Sequence, residues 1–310
     1  MSTIKINGAS LEYAQYGQGE PLVLVHGSAS DYRTWHNQQE EFALRYRVIN
    51  YSCRYHWPNE QIPSDADYSM LEHVDDLQVL IQELGAIPAH LMGHSYGAFL
   101  CLLLAIKKPE LVRTLLLAEP PVITLLVSNT PKPLEMLKLL ATRPRAAIAV
   151  MNFGAKGVAP ATAAAKHEDP KKANRLIGKT ILGQQFFRQL SKHRLEQVDA
   201  NAIKAEFLGS GFATLDAEQV RDVRVPTLLI TARHSHSLFH RLADRLEELL
   251  PNVERVEISE ASHIMHEDNA LAYNRAVEVF LEKHRQTTQQ GKFSRREKAA
   301  QLICDITSFL

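Results

Sequence analysis

The pentapeptide "GHSYG", Gly93 to Gly97, places a hydroxyl nucleophile between two residues without a Cβ. A serine hydroxyl is a weak nucleophile unless a neighbouring base takes its proton. In G-x-S-x-G the serine occupies a strained turn from strand into helix, with its oxygen projecting outward. The flanking glycines keep that turn free of side-chain clashes. The context fits: "AHLMGHS" (89–95) is an apolar run suited to a strand, and "GAFLCLLLAIKKPE" after it reads as a helix apolar nearly all round. Ser95 is therefore the candidate nucleophile. The helix that follows points its first N–H groups at developing negative charge. The same five letters also occur by chance in Gly/Ser turns; the strand–turn–helix setting favours the chemical reading.

A nucleophilic serine needs donors for the tetrahedral oxyanion it creates. The N–H of Tyr96, next in the chain, is one. The N–H of Ser28 in "VHGSAS" (25–30), at the end of an earlier apolar run, is the other. It also needs a base from a loop facing it. "SHIMHED" (262–268) offers His263 and His266 after the last apolar run, and His266 is expected to start or cap the next helix with Glu267 and Asp268.

The elements that must position these groups are legible as alternating patterns. "TIKING" and "SLEYAQYG" alternate around Asn7-Gly8, a hairpin signal. Apolar runs at 21–27, 46–52, 89–95, 112–120, 226–232 and 253–259 suit strands buried on both faces of a parallel sheet. Between them lie helical patterns; in 71–85 the residues Leu71, Val74, Leu77, Leu80, Ile81 and Leu84 share a face and Gly85 stops the run. The alternation predicts an α/β doubly wound, mostly parallel sheet with an N-terminal antiparallel hairpin. It fails between 121 and 220, a proline-punctuated stretch rich in Ala, Lys and Leu that reads as an inserted set of short helices. The expected division is a core of 1–120 and 221–285, a helical cap of 121–220 and a C-terminal tail of 286–310.

Composition narrows the partners. Lys+Arg 35 equals Asp+Glu 35, so no basic surplus points to nucleic acid or an anionic membrane. "MSTIKINGAS" lacks a cationic segment followed by an apolar run, and the longest apolar run, Ala98 to Ile106, is far short of the ~20 residues that span a bilayer. Cys53, Cys101 and Cys304 show no metal-like spacing and read as free thiols of a cytoplasmic protein. No P-loop, GxGxxG, HExxH or CxxC is present, so no cofactor and no metal are expected. His234, His236 and His240 read as solvated surface. Oligomeric state is not encoded in any pattern.

Taken in order, "VHG", "GHSYG" and "ASHIMHED" resemble the α/β-hydrolase fold, in its cap-bearing serine esterase type, over about residues 3–285 outside the cap. The resemblance favours His263 over His266 as base. It also exposes a gap. In most such enzymes the acid that orients the histidine follows the strand read here as "TLLITA", and the matching position is Ser235. A hydroxyl orients an imidazole but cannot stabilise its charge. Three readings follow. Some relatives carry the acid at the end of the strand after the nucleophile helix, which here is Glu119. Alternatively Ser235 and water orient His263 in a Ser–His dyad, or the scaffold only binds ligands. Asp75 and Asp76 lie on a helix before the nucleophile strand, and Asp268 is too near His263 in the chain.

The expected function is hydrolysis of small carboxylic esters through an acyl-enzyme, with Ser95 as nucleophile, His263 as base and Glu119 as acid. The resemblance leaves C–C hydrolase, lactonase and perhydrolase chemistry open. A serine at this position excludes the carboxylate nucleophile of haloalkane dehalogenases and epoxide hydrolases. The substrate lining is expected to include Trp57, Phe153, Phe212 and Met265, with Phe186, Phe187 and Tyr96 as further candidates. Those residue types are more often simple packing.

Overall fold

The structure, a computed structural model, describes residues 1–63 and 66–285; the tail and Cys304 lie outside the described residues. Eight strands form one sheet: β1 (Ser2–Ile6), β2 (Ala9–Tyr16), β3 (Pro21–Val25), β4 (Arg47–Tyr51), β5 (Ala89–His94), β6 (Val112–Ala118), β7 (Thr227–Ala232) and β8 (Val253–Ile258). Their order is β1-β2-β4-β3-β5-β6-β7-β8. β1 and β2 pair antiparallel, as do β2 and β4; every pair from β4 to β8 is parallel.

The central strands are apolar throughout because both faces are covered. Val23, Leu91, Leu115, Leu117 and Leu229 enter one core, against α2 (Met70–Glu83), α3 (Tyr96–Lys107) and α11 (Ser237–Leu249). Their neighbours Leu22, Met92, Leu116, Ala118 and Leu228 enter the other, against α1 (His36–Ala43) and α13 (Ala270–Lys283). Alternate residues of a strand point to opposite faces, so two apolar cores require an unbroken apolar run. β8 departs from the expectation of a strand buried on both faces. It lies at the sheet edge with Glu254 and Glu257 exposed, charges that blunt an open edge.

Between β6 and β7 the chain forms α4 (Pro133–Thr142), α5 (Pro144–Phe153), α6 (Ala159–Lys166), α7 (Pro170–Gln189), α8 (Lys192–Ala200), α9 (Ala205–Leu208) and α10 (Ala217–Arg221). Pro133, Pro144, Pro160 and Pro170 fall in the first two positions of α4 to α7, where a missing N–H breaks no helical hydrogen bond. The short α12 (Met265–Asp268) precedes α13. No helix of the described residues is long and apolar enough to cross a membrane.

Register brings the reactive segments together. Val25 pairs with Gly93, His94 with Ala118, and Ala118 with Ile230. The loops carrying Ser28, Ser95, Glu119, Ser235 and His263 therefore leave the sheet at its C-terminal edge, where α/β sheets place their ligands.

Candidate active site

Ser95 follows β5 at φ 49°, ψ −118°, a conformation that side-chain-bearing residues rarely adopt. The elbow is held from both sides. Its N–H donates to Ala118 O at 2.8 Å, and α3 begins at the next residue. The two glycines are required by close approach: a Cβ on Gly93 would lie 2.5 Å from Ala98 N, and one on Gly97 would lie 2.2 Å from Val25 O.

Glu119 is the residue after β6, 1% exposed and itself at φ 47°. Its carboxylate meets three donors. Ala232 N–H donates to Oε1 at 2.9 Å, Ser235 Oγ–H to Oε2 at 2.8 Å, and His263 Nδ1–H to Oε2 at 2.6 Å. A buried carboxylate is tolerated when it is hydrogen-bonded and faces a group that can carry charge. Glu119 thus reaches the position left without an acid on β7. Ser235 donates to the same carboxylate oxygen that holds the imidazole, so it sits beside His263 as support to Glu119, not as the sole partner that the Ser–His dyad alternative requires.

With Nδ1–H turned to Glu119, Nε2 of neutral His263 carries the lone pair. Nε2 is buried and has no hydrogen-bond partner among the described residues. His263 and Ser95 line the same cavity. The His263 ring is stacked by Phe239, centroids 4.2 Å apart, and flanked by His94 at 4.7 Å. His94 Nε2 lies 2.8 Å from His263 O, which only accepts, so Nε2–H donates and anchors the loop. Burial, with His266 and His263 close by, holds the His94 pKa well below its usual value, consistent with that neutral tautomer.

The loop after β3 is fixed by His26. Cys53 N–H donates to His26 Nε2 at 2.9 Å, and Nδ1–H therefore donates to Gly27 O at 2.8 Å. Ser28 follows, lining the cavity beside Ser95. Tyr96 opens α3, so its N–H belongs to the first turn, where helical N–H groups have no intrahelical acceptor. Its side chain turns away, the hydroxyl 3.1 Å from His73 Nδ1.

The cavity measures about 380 Å³ and is mainly apolar, with Phe153, Phe187, Phe212, Leu238 and Phe239 in its wall. Phe153 and Phe212 both line it. Two other lining expectations are corrected. Trp57 lies outside it, stacked on Tyr32 with the Arg33 guanidinium 3.8 Å over its ring. Met265 is fully buried in the core beneath α13. Phe186 packs on His234 instead. His236 is not solvated surface: it is half-buried, accepts from Leu238 N–H at 3.2 Å and packs against Phe153. His266 belongs to α12 but is fully buried, its Nε2 2.9 Å from Thr34 Oγ1 and its ring against Trp35. Among the described residues no group of His, Cys, Asp and Glu is arranged to hold a metal.

Two polar residues of the wall, Arg194 and Glu206, were not singled out by the sequence, because each sits in a polar helical segment that resembles any solvent face. Arg194 Nη1 donates to Gln197 Oε1 at 2.7 Å, and its Nε lies 3.4 Å from Glu267. Beside it Asp31 is fully buried and accepts from Gln197 and Asn201 of the α8 region at 2.9 and 2.7 Å. This network ties the helical insertion to the loop that carries Ser28.

Residues 20–270 match the alpha/beta hydrolase fold family. An uncharacterized hydrolase, YraK of Bacillus subtilis, is 32% identical over 133 residues, 43% of this chain and 49% of that protein. The matched region therefore spans about half the length of that relative. An esterase of Thermogutta terrifontis superposes with TM-score 0.68 at 20% identity, over 92% of this chain and 99% of its own. An enol-lactonase of Burkholderia xenovorans LB400 gives TM-score 0.69 at 18% identity, over 91% and 100%. At such identities the superpositions speak for the fold alone. The family match covers most of the sequence and includes Ser95, Glu119 and His263: the chain belongs to the alpha/beta hydrolase fold family.

Proposed function

We propose that the protein hydrolyses carboxylic esters through an acyl-enzyme on Ser95. The observation that carries this reading is the His263–Glu119 contact of 2.6 Å, which leaves Nε2 with a free lone pair on a residue that lines the same cavity as Ser95. In the proposed sequence His263 Nε2 takes the Ser95 proton as Oγ attacks the ester carbonyl. The imidazolium is stabilised by Glu119. The N–H groups of Tyr96 and Ser28 hold the oxyanion, a donor pair in which each member typically contributes ~10²–10³-fold. Collapse breaks the ester C–O bond, and the alcohol leaves with the proton from His263. Water, deprotonated by the same nitrogen, then cleaves the acyl-enzyme and returns Ser95 and the acid.

In this reading residues 121–220 roof the site as a cap on a core of 1–120 and 221–285, and the apolar wall suits small acyl or aryl groups. A lactone is a cyclic ester and meets the same steps, so the test panel includes one. The experiment is a series of p-nitrophenyl esters and a γ-lactone assayed with wild type and Ser95→Ala. Turnover abolished in Ser95→Ala, with a fluorophosphonate adduct on Ser95 by mass spectrometry, supports the reading. A wild-type protein whose Ser95 stays unlabelled and whose esters stay intact sinks it.

A further inference from the structure

The carboxyl of Glu206, in the wall of the cavity, has a proton count fixed by its neighbours. His56 Nδ1 lies 2.7 Å from Ser30 O, and a carbonyl only accepts, so Nδ1 bears hydrogen. Burial, with His26 and His73 nearby, holds the His56 pKa well below its usual value, so the ring is neutral and Nε2 is a lone pair. The Tyr68 hydroxyl, 2.8 Å from that nitrogen, must donate to it. Its oxygen then has only lone pairs left for Glu206 Oε1, 3.1 Å away. Two lone pairs facing each other repel. The contact closes when Glu206 is a carboxylic acid donating to Tyr68.

We infer that Glu206 determines the charge selectivity of the site: as a neutral acid it admits anionic and uncharged acyl groups alike, and as a carboxylate it excludes the anionic ones. This rests on the proposed ester hydrolysis and deepens it by naming a substrate class. The place is right for such a role. Glu206 lines the cavity together with Ser28, the proposed oxyanion donor. Ionisation leaves the single Tyr68 proton shared between two acceptors, so the carboxylate forms at the expense of a hydrogen bond and in a mostly apolar wall.

Burial accordingly raises the Glu206 pKa to about 7, and the nearby Tyr68 and Ser28 hydroxyls, which favour the carboxylate, only partly offset it. The buried groups packed around its carboxyl are each held in one charge state near that pH. Burial pushes the Tyr68 and Tyr96 hydroxyls well up and the Cys53 thiol to about 12. His56 is held neutral as above, and burial with the Arg54 charge pushes His73 down to about 3. Lys204, two residues before Glu206, pairs with Glu168, and Arg194 across the cavity pairs with Glu267. Glu206 is the wall carboxyl placed to switch charge between mildly acidic and mildly alkaline solution.

The test compares p-nitrophenyl butyrate with p-nitrophenyl hemisuccinate from pH 5.5 to 8.5 in wild type and Glu206→Gln. Taking the ratio of kcat/KM cancels any pH dependence of the shared catalytic relay. The expected ratio, hemisuccinate over butyrate, falls ~10-fold across the range in wild type, the scale of a like-charge contact in a partly screened site. It stays flat in Glu206→Gln. A flat ratio in wild type, or an equal fall in the variant, overturns the inference. If neither ester turns over, ester hydrolysis itself has failed, and the selectivity is read from binding of hexanoate against hexanamide by ligand-observed NMR at pH 5.5 and 8.5. Loss of hexanoate affinity at pH 8.5 in wild type alone upholds the role of Glu206; equal behaviour of the two proteins rejects it.

Discussion

The Ser235 hydroxyl lies 2.8 Å from Glu119 Oε2, the same oxygen that holds His263 Nδ1 at 2.6 Å. The residue at the end of β7 thus supports an acid supplied by β6. The two positions should separate cleanly in kinetics. Glu119→Gln keeps the shape but removes the charge that stabilises the imidazolium, and kcat is expected to fall ~10³-fold or more. Ser235→Ala leaves the Ala232 N–H and His263 on the carboxylate, and a loss of ~10-fold or less is expected, the scale of one hydrogen bond. Moving the charge in the double variant Glu119→Gln/Ser235→Asp should recover part of what Glu119→Gln loses. Equal kcat values for Glu119→Gln and wild type would remove Glu119 from the relay.

The elbow glycines make a structural prediction. A methyl group on Gly97 would lie 2.2 Å from Val25 O and 2.4 Å from His26 O, backbone atoms of the sheet centre that have nowhere to move. Gly97→Ala should therefore destabilise by ~3 kcal/mol or more, in the range of severe core overpacking. The readout is the urea midpoint by circular dichroism. Gly8→Ala, where a Cβ meets no atom within 4 Å but φ is +80°, should cost less, near the ~1 kcal/mol of a strained turn position. Equal midpoints for the two variants would mean that the elbow is looser than its contacts.

The distribution of what was legible follows from which constraints are local. GHSYG announces the elbow because strain, glycine and strand sit within five residues. Glu119 is legible because an acid ending an apolar strand needs a partner, and the space after β7 lacked one. His266 was less legible: the atoms that bury it, Thr34 and Trp35, lie more than 200 positions away in the chain. Trp57 shows the opposite error, an aromatic near the right loops in sequence that stacks on Tyr32 outside the cavity. Phe153 and Phe212 do line the cavity, but Arg194 in α8 and Glu206 in α9 carried no periodic or motif signal. Their roles come from neighbours on other elements.

Asp31 predicts how the insertion is held. Burial pushes its carboxyl up, but hydrogen bonds from Arg33 and Asn201 outweigh that, and the pKa ends below its ordinary value. The depressed pKa means that the folded state binds the proton less tightly than the unfolded chain. The stabilisation is present above the unfolded value near 3.8 and is lost as pH falls through the lower folded value. Asp31→Asn should therefore lower the melting temperature at pH 7, with the gap to wild type closing on acidification below about pH 4. Because an amide keeps only one acceptor oxygen for the Gln197 and Asn201 donors, limited proteolysis should also cut the α8 region faster in the variant. An unchanged melting temperature at pH 7 would assign the network no role in holding α8.

Glu206 carries the opposite sign. Its folded pKa, about 7, stands above the ordinary value of 4.5, so the folded protein holds this proton more tightly than the unfolded chain. Between those two values the unfolded state gives up its proton first, and stability falls as pH rises. The penalty is absent below about pH 4.5 and complete above about pH 7. Glu206→Gln, which keeps the amide donor toward Tyr68 and cannot ionise, should melt within a degree or two of wild type at pH 4.5 and above it at pH 8.5. Differential scanning calorimetry at the two pH values reads this directly and needs no substrate. A variant less stable than wild type at pH 8.5 would show that the carboxylate is accommodated, and the neutral-acid assignment would fall with it.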